Sequence, residues 1–126
     1  MNFPENLKYT KEHEWLAVEG NTGIIGITEY AQGELGDVVF VDIDPNVTNI
    51  VSGAAFGTIE AVKTVSDIYA PVDGKIIEIN SALSDSPELI NSDPYGTGWM
   101  VKIEITNPSQ LNDLLDAGAY KNLIGQ

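Results

Sequence analysis

The most informative stretch of this sequence is GTIEAVKTVSDIYAPVDGKIIEIN, residues 57–80. β-Branched and apolar residues dominate 57–62 and 65–69, and only a short polar break around Lys63 separates these runs. Two such runs joined by a short break are typical of a β-hairpin, which predicts Lys63 near a hairpin tip. On position alone, the lysine is explained by a charge that protects a strand edge or by a solvated turn residue.

Further short strands flank this hairpin on both sides. β-Branched or alternating segments bounded by Gly, Asn and Pro predict strands at 15–18, 21–28, 37–44, 49–55, 75–80 and 99–105. Many short strands separated by turns are typical of a sandwich or barrel. We therefore predict a mainly β fold, a flattened barrel or sandwich with short helices and a C-terminal helix.

Two short helices are predicted from their end signals. Thr28 is a candidate N-cap for a helix at 29–35, and Gly36 is the candidate stop. Ser86 and Pro87 have the residue types of an N-cap and a first helical position, which predicts a one-turn helix there.

The clearest helical pattern lies at about 107–118. Asn107 is the predicted cap, Gln110 completes a capping box, and Gly118 is the predicted stop. One apolar face at helical spacing is formed by Leu111, Leu114 and Leu115. We predict that this helix packs on the β body and that a last turn at 120–124 docks beside it.

Two pairs of segments are similar at a nearly constant offset. GDVVFVDI (36–43) is similar to GKIIEIN (74–80), and AFGTIEAV (55–62) is similar to PYGTGWMV (94–101). Two similar halves would meet near the hairpin that holds Lys63.

Length and composition indicate one globular domain covering residues 1–126. The hydrophobic content is 43%, and no apolar run is as long as a membrane span. The first residues show no targeting character, and the absence of cysteine excludes disulfides and thiolate metal sites. We expect a soluble, cytoplasmic monomer without a metal.

The charge balance is strongly acidic. Nineteen acidic residues and six basic ones give a formal net charge of −13. Such a surface repels nucleic acids and anionic membranes, and it favours encounters with basic protein surfaces. A role in solubility alone explains the acidity equally well.

The set of catalytic side chains is small. His13 is the one histidine, and there is no cysteine, no arginine and no Gly-x-Ser-x-Gly motif. Asp42 and Asp44 share a face of a predicted strand, but this spacing is that of an ordinary strand end. We predict that the chain is not an enzyme in its own right.

Several segments, in order, resemble the glycine cleavage H-protein family over nearly the whole chain. They are KYTKEHEWL (8–16), GIT-x-YAQ (26–32), LGDVVFV (35–41), FGTIEAVKTVSDIYAPVDG-x-IIEIN (56–80) and LIN-x-DPYG-x-GWM-x-KI (89–103). The resemblance implies a fold of the lipoyl/biotinyl-carrier type. It also implies that a lipoate ligase or lipoyltransferase joins (R)-lipoate to Lys63 through an amide bond.

The partners implied by the resemblance are the other components of the glycine cleavage system. Glycine decarboxylase (P protein), which uses pyridoxal phosphate, would load an aminomethyl group onto the lipoyl arm. Aminomethyltransferase (T protein) would pass the one-carbon unit to tetrahydrofolate. Dihydrolipoyl dehydrogenase (L protein) would then reoxidise the arm with flavin and NAD.

Other carriers differ around the modified lysine. Biotin carriers have methionines on both sides of it, whereas Lys63 has Val62 and Thr64. Lipoyl domains of 2-oxoacid dehydrogenase acyltransferases have an Asp-Lys-Ala type of tip. Two alternatives stay open: a lipoyl relay for other lipoate-dependent complexes, and an acidic adaptor without a cofactor.

Six further residues are assigned candidate roles. The resemblance suggests that Glu14, Asp67 and Glu12 line a cleft for the cationic end of the loaded arm, although each is also explained as a solvated acid. It also suggests that the lipoylating enzyme reads Glu60 and Gly74, the latter as the end of a type I turn at 71–74. We expect His13 to have a structural role through a ring hydrogen bond.

Overall fold

The computed structural model describes residues 1–126 and is mainly β. Its strands are β1 (Lys8–Tyr9), β2 (Glu14–Glu19), β3 (Thr22–Ile27), β4 (Val38–Asp42), β5 (Asn49–Ile50), β6 (Ala55–Ala61), β7 (Val65–Tyr69), β8 (Gly74–Ile79) and β9 (Val101–Ile105). The helices are α1 (Glu29–Leu35), α2 (Ala82–Asp85), α3 (Leu89–Ser92), a 3₁₀ helix (Pro108–Asp113) and α4 (Ala117–Ile124). No helix combines the length and the hydropathy that a membrane span requires.

The strands form two antiparallel sheets, which confirms the predicted fold class. The large sheet has the order β1-β2-β3-β9-β8-β5, and the small sheet has the order β4-β6-β7. The similar segments 36–43 and 55–62 contain β4 and β6, which pair with each other in the small sheet. Of their counterparts, 74–80 contains β8, whereas 94–101 reaches only Val101, the first residue of β9.

One main core joins the two sheets. Its buried members come from both of them and include Leu16, Ile25, Ile59, Ile68 and Ile103. A second buried cluster ties α4 to the N-terminal region through Phe3, Leu7, Tyr9, Trp15, Ala117 and Tyr120. The rings of Tyr9 and Tyr120 stack with their centroids 4.8 Å apart. The β body is thereby closed at one side by the last helix.

Helix α1 has the predicted bounds and caps. The hydroxyl oxygen of Thr28 accepts a hydrogen bond from the Ala31 N–H (3.1 Å), so it is the N-cap. Gly36 is the C-cap, and its N–H donates to the Gln32 carbonyl (3.0 Å). The end signals of this helix are local, which is why the sequence predicts it well.

The predicted helix at about 107–118 is wrong in type and extent. The Asn107 side chain accepts from the Ser109 hydroxyl (2.7 Å), and Gln110 Oε1 accepts from the Asp73 N–H (2.7 Å). Both members of the predicted capping box are therefore engaged elsewhere, and only a 3₁₀ helix forms. Leu115 then pairs with Tyr9 through two backbone hydrogen bonds of 2.8 Å.

The α-helix begins where the sequence predicted a stop. Asp116 caps α4 by accepting from the Ala119 N–H (2.8 Å), and Gly118 lies in its first turn. The prediction for Ser86 is wrong as well, because this residue is the C-cap of α2 and α3 begins only at Leu89.

Candidate functional site

Strands β6 and β7 form the predicted hairpin, with Lys63 at its tip. The Ala61 N–H donates to the Thr64 carbonyl (2.8 Å), which closes the turn. The Val62 N–H donates to the Asp37 carbonyl (3.0 Å) in the segment that joins α1 to β4. The backbone beside Lys63 is therefore held both within the hairpin and by a neighbouring segment.

The exposed Lys63 side chain lies along Gly36 at the end of α1. A Cβ atom at Gly36 would lie 3.1 Å from the Cε atom of Lys63 and 3.6 Å from its Nζ atom. Gly36 has φ 80° and ψ −157°, a combination that is essentially restricted to glycine. The glycine thus leaves room for the lysine side chain next to the body of the protein.

Glu60 lies on the solvent-facing side of the same hairpin. It is exposed, and it is in register with Phe40 on β4 and with Val65 on β7. Its neighbour Ile59 is buried in the core, as the alternation of a strand with one solvated face requires. A protein that binds at Lys63 can reach Glu60 without displacing any core residue.

Glu12, Glu14 and Asp67 line one cleft of about 120 Å³ between the hairpin and α1. The apolar part of the lining includes Ile27, Ala31 and Leu35. Asp67 is four residues from Lys63, which is about 13 Å along a strand. The structure thus brings together the three carboxylates from two distant parts of the sequence.

Glu14 is the buried member of this set, with 2% of its surface exposed. Its Oε1 atom accepts from the Thr10 hydroxyl (2.6 Å), and its Oε2 atom accepts from the Tyr69 N–H (3.4 Å). Burial raises the pKa of Glu14 to about 7, although the hydrogen bonds from Thr10 and Tyr69 act in the opposite direction. A buried carboxylate without a cationic partner is costly, so burial favours the neutral, protonated form of Glu14.

A larger cavity of about 340 Å³ lies next to the cleft and shares Glu12 and Glu14 with it. Its lining includes Tyr69 at the end of β7 but not Asp67, and Lys63 lines neither cavity. We assign the smaller cleft to the candidate site, because it includes Asp67 on the lysine hairpin.

His13 belongs to a hydrogen-bonded group that links α4 to the cleft. Its Nδ1 atom is 2.9 Å from the Tyr120 hydroxyl, which is 2.8 Å from the Thr28 hydroxyl. Burial lowers the pKa of His13. Its backbone has φ 75°, a left-handed conformation that is uncommon for residues other than glycine. No local sequence pattern indicates the contact of His13 with Tyr120, because the two residues are 107 positions apart.

Gly74 has a different environment from the predicted one. Residues 71 and 72 form a bend without a hydrogen-bonded turn, and Gly74 is a buried residue of β8. A Cβ atom there would lie 2.8 Å from Ile103 Cδ1 and 3.0 Å from the Glu104 carbonyl oxygen. Glycine therefore permits close packing of β8 on β9, so any effect of Gly74 on a modifying enzyme would be indirect.

Comparisons with known proteins agree with this architecture. The family model for the glycine cleavage H-protein matches residues 7–126. The glycine cleavage system H protein of Staphylococcus haemolyticus is 58% identical over 126 residues, all of both chains. That of Bacteroides thetaiotaomicron is 55% identical over 124 residues, 98% of each chain.

A solved structure shows the same fold. The crystal structure of a glycine cleavage system H protein from Mycobacterium marinum superposes with a TM-score of 0.89 at 37% identity. The match covers 98% of this chain and 100% of that chain. This chain therefore belongs to the glycine cleavage H-protein family.

Proposed function

We propose that this chain carries lipoate on Lys63 and is the shuttle of the glycine cleavage system. The observation that supports this most directly is an exposed lysine on a hairpin tip whose backbone is fixed from two sides. A long arm that visits several enzymes needs such a rigid base. Membership of the glycine cleavage H-protein family supports the same role.

Lys63 would supply the nitrogen of the amide bond. Its ammonium group first loses a proton, and the free nitrogen attacks the activated carboxyl carbon of lipoate. The carbon–nitrogen bond forms, the bond to the leaving group breaks, and the nitrogen releases a second proton. The resulting amide is neutral, so attachment removes the positive charge of Lys63. A lipoate ligase or lipoyltransferase would catalyse this step and contact Glu60.

The cleft beside the hairpin would hold the cationic end of the loaded arm. Glu14 and Asp67, with Glu12, would stabilise an ammonium group by charge-assisted hydrogen bonds. The bond to buried Glu14 would contribute about 1.5–3 kcal/mol, and those to exposed Asp67 and Glu12 about 0.2–1 kcal/mol each. The ammonium would lower the pKa of Glu14, because an adjacent positive charge favours the carboxylate. The apolar wall would exclude water from the loaded end and slow its hydrolysis.

We propose that the shuttle meets three enzymes in turn. It would receive an aminomethyl group from glycine decarboxylase, deliver it to aminomethyltransferase and return electrons to dihydrolipoyl dehydrogenase. When bound, the dithiolane of lipoate supplies the sulfur atoms for this chemistry, whereas the chain supplies presentation. The net charge of −13 would steer the shuttle towards basic surfaces on these enzymes.

Residues 1–126 would act as one carrier domain and not as an enzyme. His13 is the one histidine of the chain, and the structure engages it with Tyr120 rather than with a nucleophile. The remaining site groups are the amine of Lys63 and carboxylates, which suit attachment and ion pairing.

Intact mass spectrometry of the protein from its native host tests this proposal. We expect a mass increase of one lipoyl group, mapped by peptide analysis to Lys63. Growth of the host without lipoate or its biosynthesis provides the matched control and should remove the increase. A lipoyl group on another lysine, or unmodified protein in a host with a working lipoylation pathway, would contradict the proposal; the second result would favour an acidic adaptor.

A further inference from the structure

Four large apolar side chains are exposed around the hairpin tip. They form a set that we call the tip patch, namely Val39, Phe40, Val62 and Val65. Phe40 is 52% exposed, Val65 is 62% exposed and Val62 is 75% exposed. Single exposed apolar residues are common, but a group of them on one surface indicates an interaction site.

The register of the small sheet places these residues next to Glu60. Phe40 is opposite Glu60 on one side, and Val65 is opposite Glu60 on the other. Residues in register lie on the same face of a sheet, so Glu60 lies between two apolar side chains. The register therefore places a carboxylate between Phe40 and Val65 of the tip patch.

A β-bulge produces the exposure on β4. The pairing of β4 with β6 shifts between Val38 and Phe40, so that Val39 is the extra residue. Val38 is buried, whereas Val39 and Phe40 both face solvent. Strict alternation would have turned one of these two residues towards the core, and bulges of this kind re-aim side chains.

The lysine amine itself lies close to the protein surface. Its Nζ atom would be 3.6 Å from a Cβ atom at Gly36, at the end of α1. An enzyme that reacts with this nitrogen has to approach the body of the protein and contact the residues beside it. An enzyme that acts on the far end of a long arm has no such requirement.

We propose that the tip patch is the docking surface for the enzyme that acylates Lys63. This inference rests on the proposed function. The enzyme would present an apolar depression to Phe40 and Val65 and a basic residue to Glu60. Charge complementarity supports this partner, because the next register row on the same face, two residues along each strand, places Asp42 and Asp67 at either side of Thr58. A basic rim on the enzyme would match both carboxylates.

Initial rates of acylation test the proposal in the full-length protein. The probe is a lipoate ligase supplied with lipoate and ATP, and the readout is the mass of the intact protein over time. We expect Phe40→Ser to lower kcat/KM by roughly tenfold or more, as loss of a central aromatic contact does at interfaces. Phe40→Leu should restore most of the rate, because it retains an apolar side chain.

Ile77→Ser is the matched control. Ile77 is 51% exposed and lies on β8 of the large sheet, away from the lysine hairpin. The Ile77→Ser variant, like Phe40→Ser, loses an exposed apolar side chain from a strand, and it should keep the wild-type acylation rate. Val65→Ser is a second variant of the tip patch, to be used if Phe40→Ser has a lower Tm than Ile77→Ser.

Equal acylation rates for a folded tip-patch variant and Ile77→Ser would overturn the inference and leave Lys63 as the attachment site. No acylation of the wild-type protein would overturn the proposed function as well. A further assay uses fully acylated proteins and dihydrolipoyl dehydrogenase, with NADH as the reductant of the lipoyl disulfide. We expect equal reduction rates for Phe40→Ser and wild type; a loss of reduction with normal acylation would assign the tip patch to a different enzyme and overturn the proposal.

Discussion

The hairpin tip and the wall of the cleft place charged groups in opposite environments. Lys63 is exposed on a backbone fixed by hydrogen bonds, and its side chain has no salt-bridge partner, since the one salt bridge joins Lys102 to Glu78. Glu14 is buried, and both of its carboxylate oxygens accept hydrogen bonds. The two environments suit different tasks, because an exposed tip can present a mobile group and a cleft with a buried carboxylate can receive one.

The largest expected effect comes from the tip. Lys63→Arg should abolish lipoyl incorporation, because the guanidinium stays protonated and does not act as a nucleophile under these conditions. The free energy of unfolding should change by less than about 0.5 kcal/mol, as expected for an exposed position. Intact mass after incubation with a lipoate ligase and chemical denaturation measure the two quantities.

Lys75→Arg is the control for this variant, because Lys75 is also exposed but lies on β8. It should be acylated at the wild-type rate. If Lys63→Arg were lipoylated and Lys75→Arg were not, lipoate would be attached to Lys75 rather than to Lys63.

The burial of Glu14 predicts a pH-dependent stability. Its folded-state pKa of about 7 is above the usual value of 4.5, so the folded protein binds this proton more tightly than the unfolded chain. The stabilisation is complete below pH 4.5 and is lost as the pH rises through 7. Relative to Glu14→Gln, the wild type should lose about 3 kcal/mol over this range.

Denaturation curves at several pH values for both proteins measure this difference. Glu12→Gln removes an exposed carboxylate from the same cleft and controls for a change in net charge. If the free energy of unfolding changed with pH in the same way for the wild type and Glu14→Gln, the proposed difference between the buried Glu14 and the exposed Lys63 would be wrong.

The cleft should protect the loaded arm. Combining Glu14→Gln with Asp67→Asn removes two carboxylates that could bind its ammonium group, so the hydrolytic half-life of the aminomethyl-loaded protein should fall by roughly tenfold or more. Release of ammonia over time measures the half-life. Asp42→Asn is the control, because Asp42 lies in the same register row as Asp67 but outside the cleft lining. An unchanged half-life in the double variant would contradict the role of the cleft.

The smallest effect is expected where the tip meets the body. Gly36→Ala should destabilise the protein by about 1–2 kcal/mol, because alanine is strained at φ 80° and ψ −157° and its Cβ crowds Lys63. Gly33→Ala is the control, and we expect it to raise the free energy of unfolding instead of lowering it. Gly33 lies within α1 with nothing near its Cβ position, so alanine should stabilise the protein by about 0.5–1 kcal/mol. Thermal or denaturant unfolding of both variants measures this, and a harmless Gly36→Ala would contradict the close contact.

Local signals explain which parts of the fold were predictable. Thr28 and Gly36 act within one turn of α1, and the break at Lys63 separates two strands that pair with each other. The C-terminal signals failed because Gln110 is engaged by Asp73, which is 37 residues away. A capping pattern predicts a helix only when tertiary contacts leave its side chains free.

In the candidate site, too, some features follow from local sequence and others depend on tertiary contacts. The exposure of Lys63 follows from its hairpin, whereas the burial of Glu14 depends on packing between β2, β7 and α1 that no local pattern describes. The family resemblance grouped Glu14 with Asp67, but it gave neither the burial nor the hydrogen bond from Tyr69. The contact of Lys63 with Gly36 likewise joins residues that lie in separate elements.

The hydrogen bond from Val62 to Asp37 has a consequence for the thermodynamics of the proposed shuttle. The return of the loaded end is an intramolecular event because the arm would be covalently attached, and this hydrogen bond fixes the origin of the arm relative to the cleft. Short flexible tethers give effective concentrations in the millimolar range. A cleft with only weak intrinsic affinity would therefore be occupied most of the time, and the same weakness would let a partner enzyme withdraw the arm quickly.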